Sequence, residues 1–142
     1  MDRQSELHRR AEALELDRDA IRRFSRHLLI PGLGLEGQKR LRTARVLVVG
    51  AGGLGAPILH YLAAGGVGHL TILDPDRVDE TNLQRQVLFR EADIGRLKAE
   101  VAAEVVEGLS SVTSVEAVPE RLNAQGAERR VGGHDLVLDA TD

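Results

Sequence analysis

The sequence predicts an α/β fold: a parallel sheet with helices on both faces, preceded by a helical arm. Three observations carry the prediction. Short apolar runs at Val46–Val49, His69–Leu73, Ser114–Pro119 and Asp135–Asp139 alternate with stretches of helical periodicity. Glycines at 50, 52, 53 and 55 follow the first run at once. Charge divides the chain: residues 1–45 hold 11 Lys+Arg against 7 Asp+Glu, and residues 46–142 hold 8 against 15. We therefore expect an arm over residues 1–43 and one sheet domain over residues 44–142.

Composition narrows the function classes. A chain of 142 residues with 42% hydrophobic and 29% charged side chains reads as one globular domain with a real core. It has no Cys, so it forms no disulfide, thiolate zinc site or covalent cysteine intermediate of its own. No apolar run reaches bilayer length and the N-terminus has no apolar leader, so we expect a cytoplasmic chain without a membrane partner. An acidic body whose aromatics are only Phe24, Tyr61 and Phe89 argues against nucleic acid.

In chain order, Asp2–Leu16 is expected as a charged, loosely docked helix with Leu7, Ala11 and Leu14 at helical spacing. Asp19–Leu29 follows, capped by Asp17 or Asp19, with Ile21, Phe24 and Leu28 on one face and Pro31-Gly32 ending it. Its Arg22, Arg23 and Arg26 read from local pattern as a solvated basic face. Gly34–Thr43 is a short helix leading into the first strand.

Val46–Val49 is short and β-branched, as a strand buried on both faces is. Ala56–Ala64 is a helix with Pro57 in its first turn, where the missing N–H costs least. Gly65 and Gly66 stop it, and His69–Leu73 forms the second strand, ending on Asp74. Leu83 and Val87, four apart, suggest a short buried helical turn. Arg96–Gly108 is a helix with Leu97, Val101 and Val105 on its core face, and Asn123–Val131 is another. Asp135–Asp139 reads as a fourth buried strand, and the β-α-β order implies right-handed crossovers.

The glycine turn carries the chemistry. Gly50-x-Gly52-x-x-Gly55 lets the backbone leave the strand tightly and approach a ligand, while the new helix offers unpaired N–H groups to an anion. Asp74, about 20 residues on, is placed to accept from ribose hydroxyls. Strand, glycines, helix, strand and terminal acid together predict a Rossmann-like nucleotide site. The loop beyond it gathers Asp76, Asp79, Asn82, Gln84, Arg85 and Gln86 at the sheet edge where such ligands sit. Lys98, in a helical first turn, opposes the helix dipole and makes more sense beside a bound anion. The histidines at 8, 27, 60, 69 and 134 show no metal-ligand spacing.

Several motifs occur in one order: Arg23-Phe24-Ser25-Arg26-His27, the glycine turn, Leu73-Asp74-Pro75-Asp76, Asn82-Leu83-Gln84-Arg85-Gln86, Gly95 with Lys98, and Asp139-Ala140-Thr141-Asp142. From about residue 20 onward the chain resembles the MoeB/ThiF family, bacterial relatives of ubiquitin-activating enzymes. The resemblance implies Mg-ATP as cofactor and adenylation of the C-terminal glycine of a ubiquitin-like sulfur carrier ending in Gly-Gly. It places Gly50, Gly52, Gly53, Gly55, Asp74, Asp76, Thr81, Asn82, Arg85, Gln86 and Lys98 around the nucleotide. Arg26, Arg85, Lys98 and Asp142 become the catalytic set. Asp142 would hold magnesium, and Arg26 would reach the partner site of a homodimer. The family carries a further stretch with the rest of the sheet and often zinc-binding cysteine pairs. The resemblance therefore implies a fragment or a truncated relative, with zinc only in a longer chain.

The transition state asks for the same groups. A carboxylate attacking the α-phosphorus drives out pyrophosphate and loads charge onto phosphoryl oxygens, which positioned cations stabilise. Three alternatives stand beside this reading. An NAD(P) dehydrogenase half-domain shares the glycine turn and Asp74, but it does not call for both Arg85 and Lys98. A non-catalytic nucleotide-binding or dimerisation module, and a relative activating a carboxylate on modified tRNA, are the others.

Overall fold

Arg45–Val49, strand β1, lies inside a four-stranded parallel sheet. The computed structural model describes residues 2–142. β2 (His69–Leu73) pairs with β1 from Arg45↔His69 to Val49↔Leu73. β3 (Ser114–Val118) lies outside β2, and β4 (Leu136–Asp139) lies on the far side of β1. The chain steps outward from β1 to β3, then returns to the other side of β1. The direction of progression therefore reverses between β1 and β4, and such a reversal opens a crevice at the C-terminal ends of the strands.

One face of the sheet is dry. Val46 and Val48 of β1 and Leu70 and Ile72 of β2 pack against helices α5 (Gly55–Ala64) and α6 (Lys98–Leu109). Ala56 and Ala63 of α5 and Ala99 and Ala102 of α6 are small enough to bring the helices close. Each buried Val, Leu or Ile stabilises by roughly 1.5–3 kcal/mol. The opposite face carries only Leu47, Val49, Leu73 and Val118, with Leu122 and Val137 beside them. Helix α7 (Ala124–Gly132), capped by Asn123, follows β3, and none of its residues is buried. Its end meets this second face through His134, which bonds Thr71 of β2.

The arm is four helices: α1 (Arg3–Glu12), α2 (Arg18–Arg23), α3 (Ser25–Leu28) and α4 (Gly34–Thr43). Contrary to the loose docking expected, α1 is seated on α4 with Ala11 buried, and Arg10 pairs with Asp135 at 2.5 Å. The helix expected over Asp19–Leu29 breaks at Phe24. That break lets Phe24 lie on Gly66, where a Cβ would come within 2.4 Å of the ring, and leaves Ile21 exposed. Asp17, not Asp19, caps α2 through the Ala20 N–H at 2.8 Å. The basic face is only partly solvated. Arg23 donates to the Leu109 carbonyl at 2.7 Å and Arg42 to that of Val112, so both satisfy carbonyls around the end of α6.

Three further expectations change. Leu83 packs half-buried against the core, but Val87 is 68% exposed, while Leu88 and Phe89 are buried. α6 begins at Lys98 and buries Val101, Ala102 and Val106; Arg96 stays outside it and pairs with Asp93 at 3.0 Å and with Glu104. Among the described residues β4 pairs with β1 alone, and Leu136 and Asp139 are exposed where a buried strand was expected. Among the described residues no helix is long and apolar enough to cross a membrane.

Candidate functional site

A cleft of 760 Å³ opens at the C-terminal ends of the strands. Its floor is the glycine turn, and the four glycines divide by role. Gly50 has φ +96, and a Cβ there would meet the Ala140 carbonyl oxygen at 2.7 Å. A Cβ on Gly55 would lie 2.0 Å from the Gly50 carbonyl oxygen, so this position closes strand onto helix. Gly52 faces the Gln86 amide, where a Cβ would sit 3.2 Å from Nε2. At Gly53 the nearest atom to a Cβ is Arg85 Cγ at 3.9 Å, which leaves its backbone open to a ligand. No side chain caps the N-terminus of α5; the Ala56 N–H bonds the Gly52 carbonyl at 2.9 Å and Pro57 has none, which leaves the Gly55 N–H to an anion.

Asp74 ends β2 and is 5% exposed. Its Oδ2 accepts from the Ala51 N–H and its Oδ1 from the Asp76 N–H, both at 2.8 Å. The carboxylate thus ties the glycine turn to the next loop, and each oxygen keeps a lone pair for a further donor.

The loop after β2 is held by a short antiparallel ladder. Val78 N–H donates to Arg96, Gly95 N–H to Val78, and Lys98 N–H to Asp76. The ladder fixes Lys98 at the start of α6, where it is buried and its Nζ lies 3.8 Å from Asp76 Oδ2. Within the loop, Asp79 caps the 3-10 turn Glu80–Asn82. The Thr81 hydroxyl, then the Thr81 N–H, hold the Asp79 carboxyl below its ordinary range, with Lys98 adding to the effect. The Asn82 side chain accepts from the Asp79 N–H at 3.0 Å, and Arg85 donates to the Thr81 carbonyl at 3.0 Å. Gln86 is buried, and its Oε1 has no partner among the described residues.

Gly50, Gly52, Gly53, Asp74, Asp76, Arg85, Gln86, Lys98 and Asp142 therefore line one cleft. Gly55, Thr81 and Asn82 do not line it: the first closes the turn from behind, and the other two build the turn that presents Arg85. Arg26 is exposed on α3, away from the cleft of its own chain. Three residues that the sequence reading passed over complete the lining: Glu120, Arg121 and Leu122, just after β3. The signal for them was positional, since they leave a parallel strand at the same edge as Asp74. Asp139 lies outside the lining, and the Thr141 hydroxyl, then its N–H, hold its carboxyl below the ordinary range.

An uncapped helix N-terminus, an open glycine backbone and cations at Arg85, Lys98 and Arg121 facing acids at Asp74, Asp76 and Asp142 suit a metal-bound polyphosphate nucleotide. Among the described residues no group of three or more His, Cys, Asp or Glu converges to hold a metal unaided. A divalent ion here would need phosphate oxygens as co-ligands.

The chain is 52% identical over 130 residues to the probable adenylyltransferase/sulfurtransferase MoeZ of Mycobacterium tuberculosis, covering 92% of this chain and 33% of that protein. It is 45% identical over 125 residues to the sulfur carrier protein adenylyltransferase of Thermus thermophilus, covering 88% of this chain and 46% of that one. In fold it matches the E. coli tRNA N6-threonylcarbamoyladenosine dehydratase TcdA, solved with ATP. The TM-score is 0.81 at 28% identity, over 91% of this chain and 53% of the other. The chain thus spans about a quarter to a half of the length of the curated relatives it matches, from 26% to 48%. Residues 24–142 match the profile of the ThiF family, and the chain belongs to it.

Proposed function

We propose that this chain is the nucleotide-binding part of an enzyme that uses Mg-ATP to adenylate the C-terminal glycine carboxylate of a ubiquitin-like sulfur carrier. The observation that carries the reading is the convergence of Arg85 and Lys98 on the open glycine turn, with Asp74 at the end of β2. Asp74 accepts from the ribose, and Gly53 lies against the nucleotide. Arg85 engages phosphate oxygens with its fork and Lys98 with a point charge, and Gln86 and the Asn82 amide stand beside them. The carrier carboxylate forms a bond to the α-phosphorus as the bond to the bridging oxygen breaks, and pyrophosphate takes the electron pair. Asp142, together with phosphate oxygens, would hold Mg²⁺, which would supply charge neutralisation there. The two relatives described above, at 52% and 45% identity, are named as adenylyltransferases, the second of a sulfur carrier. That likeness is nearer than the one to the tRNA-modifying enzyme at 28%.

The partner we propose for the arm is a second copy. Leu54, Pro57 and Tyr61 form an exposed apolar stripe along α5, with Leu54 at the cleft and Tyr61 beside the α3 corner near His27. Ten helical residues span about 15 Å. Two copies packed antiparallel along this stripe would bring Arg26 of each over the cleft of the other. The test is exchange of labelled pyrophosphate into ATP with a Gly-Gly-ending carrier. Carrier-dependent exchange is expected, and ATP binding without exchange would restrict the reading to nucleotide binding. Mixing Arg26→Ala with Arg85→Ala protein should restore about a quarter of the sites if subunits pair at random. No restoration in verified heterodimers would remove Arg26 from the neighbour's site.

A further inference from the structure

Of the motif Arg23-Phe24-Ser25-Arg26-His27, the proposed function uses only Arg26. Phe24 and His27, on either side of it, are both anchored to the C-terminal end of α5. The Phe24 ring covers Gly66, where a Cβ would come within 2.4 Å of it. His27 reaches the same end through Gln38 of α4, which is fully buried. Gln38 Nε2 lies 3.0 Å from the Gly65 carbonyl oxygen. A carbonyl only accepts, so the amide nitrogen faces it and the amide oxygen faces away. That oxygen lies 2.8 Å from His27 Nδ1, which must therefore carry a proton and donate.

The helix that carries Arg26 has little hold of its own. α3 is four residues long, Ser25–Leu28, and buries none of them, and Arg26 is exposed on it. The two anchors give α3 a fixed place relative to α5 instead. α5 starts at the glycine turn of the cleft, and its exposed Leu54, Pro57 and Tyr61 form the stripe proposed to pack against a second copy. A residue tied to the end of α5 therefore keeps its height along any contact between two such helices. We propose, on the reading that Arg26 serves the neighbouring cleft, that Gln38 and His27 are positioning residues. Their tie to Gly65 fixes α3 on the end of α5 and holds Arg26 where it reaches the terminal phosphates of the nucleotide in the other copy.

Phe24 alone would not suffice. A ring seated on a glycine is an apolar contact without direction, and it leaves α3 free to turn about that point. The His27–Gln38 bond, three residues further along, has direction and removes the turn. The Phe24 and His27 rings also stack, with centroids 6.1 Å apart and planes at 22°, so the two anchors act as one block. Gly66 admits both, since a Cβ there would also come 3.0 Å from Gln38 Nε2. An arginine held in place before its ligand arrives loses less freedom on binding, and the ligand binds more tightly for it.

Calorimetric titration with Mg-ATP and with AMP tests this, on the 142-residue chain at concentrations where light scattering shows pairs. Arg26→Ala should weaken Mg-ATP about tenfold, as loss of a charge-assisted bond does, and leave AMP unchanged because it lacks the terminal phosphates. His27→Leu, which takes the donor from a half-buried site, should weaken Mg-ATP several-fold in the same way and add nothing to Arg26→Ala. Gln38→Met should match it; if that chain fails to fold, His27→Leu and its rescue decide. The rescue is His27→Asn, whose amide nitrogen can stand in for Nδ1 and should restore the native affinity. A chain that never pairs, or an Arg26→Ala chain that binds Mg-ATP like the native one, would take Arg26 out of the neighbour's site and the positioning role with it. If Arg26→Ala weakens Mg-ATP but His27→Leu does not, or the two losses add, the positioning role alone is overturned. Weakened AMP binding in His27→Leu would overturn it too, because the damage would then lie in the chain's own cleft.

Discussion

The two halves of the cleft are built differently. On the β1–α5–β2 side, a dry interface of alanines against valines and leucines supports a turn whose glycines admit no side chain at 50 or 55. On the β3–α7–β4 side, the strands ladder onto β2 and β1 and bury Val118 and Ala140, while α7, which has no buried residue, meets the rest through Arg130–Glu120 and, just past its end, His134–Thr71 and Asp135–Arg10. Packing holds the first half throughout, whereas in the second half α7 depends on polar bonds.

Breaking the rigid half should have the largest effect. Gly55→Ala places a Cβ 2.0 Å from the Gly50 carbonyl oxygen, and backbone must move to admit it. A loss of about 3 kcal/mol is expected, or roughly 10 °C in melting temperature. Gly53→Ala, two residues earlier in the same turn, has room and should leave the melting temperature unchanged while weakening nucleotide binding. Equal melting temperatures for the two variants would mean that the turn does not divide as described.

Asp74→Ala should come next, because it strips partners from the Ala51 and Asp76 N–H groups as well as from the ligand. Mg-ATP affinity should fall by roughly 1–3 kcal/mol. Calorimetric titration checks this, and an unchanged affinity would take Asp74 out of the site.

The smallest effect belongs to the polar half. Burial first, then Arg45 and His134, push His69 below its ordinary value of 6.5. The folded state therefore binds fewer protons there than the unfolded one. Stability should be complete above pH 6.5 and should decline as the pH falls from 6.5 toward the depressed folded value. Chemical denaturation at pH 7.5, 6.5 and 5.5 would detect this slope, and His69→Gln should flatten it. A wild-type midpoint that rose on acidification would contradict the sign.

The same contrast explains what the sequence makes legible. The β1–α5–β2 unit and its glycine turn are local: strand, turn, helix stop and Asp74 follow within one stretch, and each states its own constraint. The helix Gly34–Thr43 and the strand His69–Leu73 are read to the residue for the same reason. The rest depends on distant partners. Phe24 breaks its helix because Gly66 leaves a place for its ring. Leu136 reads as core yet lies at an edge, since nothing in Leu136–Asp139 says on which side of β1 it pairs. Glu120–Leu122 escape notice because they carry no motif, only a position beyond a strand. The tie from Gly65 through Gln38 to His27 joins three separate helices, which no spacing rule connects.

The central claim is that the cleft grips a magnesium-bound triphosphate between the glycine turn and the Arg85–Lys98 pair. Calorimetric titration of the chain with Mg-ATP, NAD and NADH, repeated with Lys98→Ala, tests it most directly. The account predicts saturable binding of Mg-ATP, weakened at least tenfold by the substitution, and no measurable binding of either dinucleotide. Tight NAD binding that is indifferent to Lys98→Ala would contradict it.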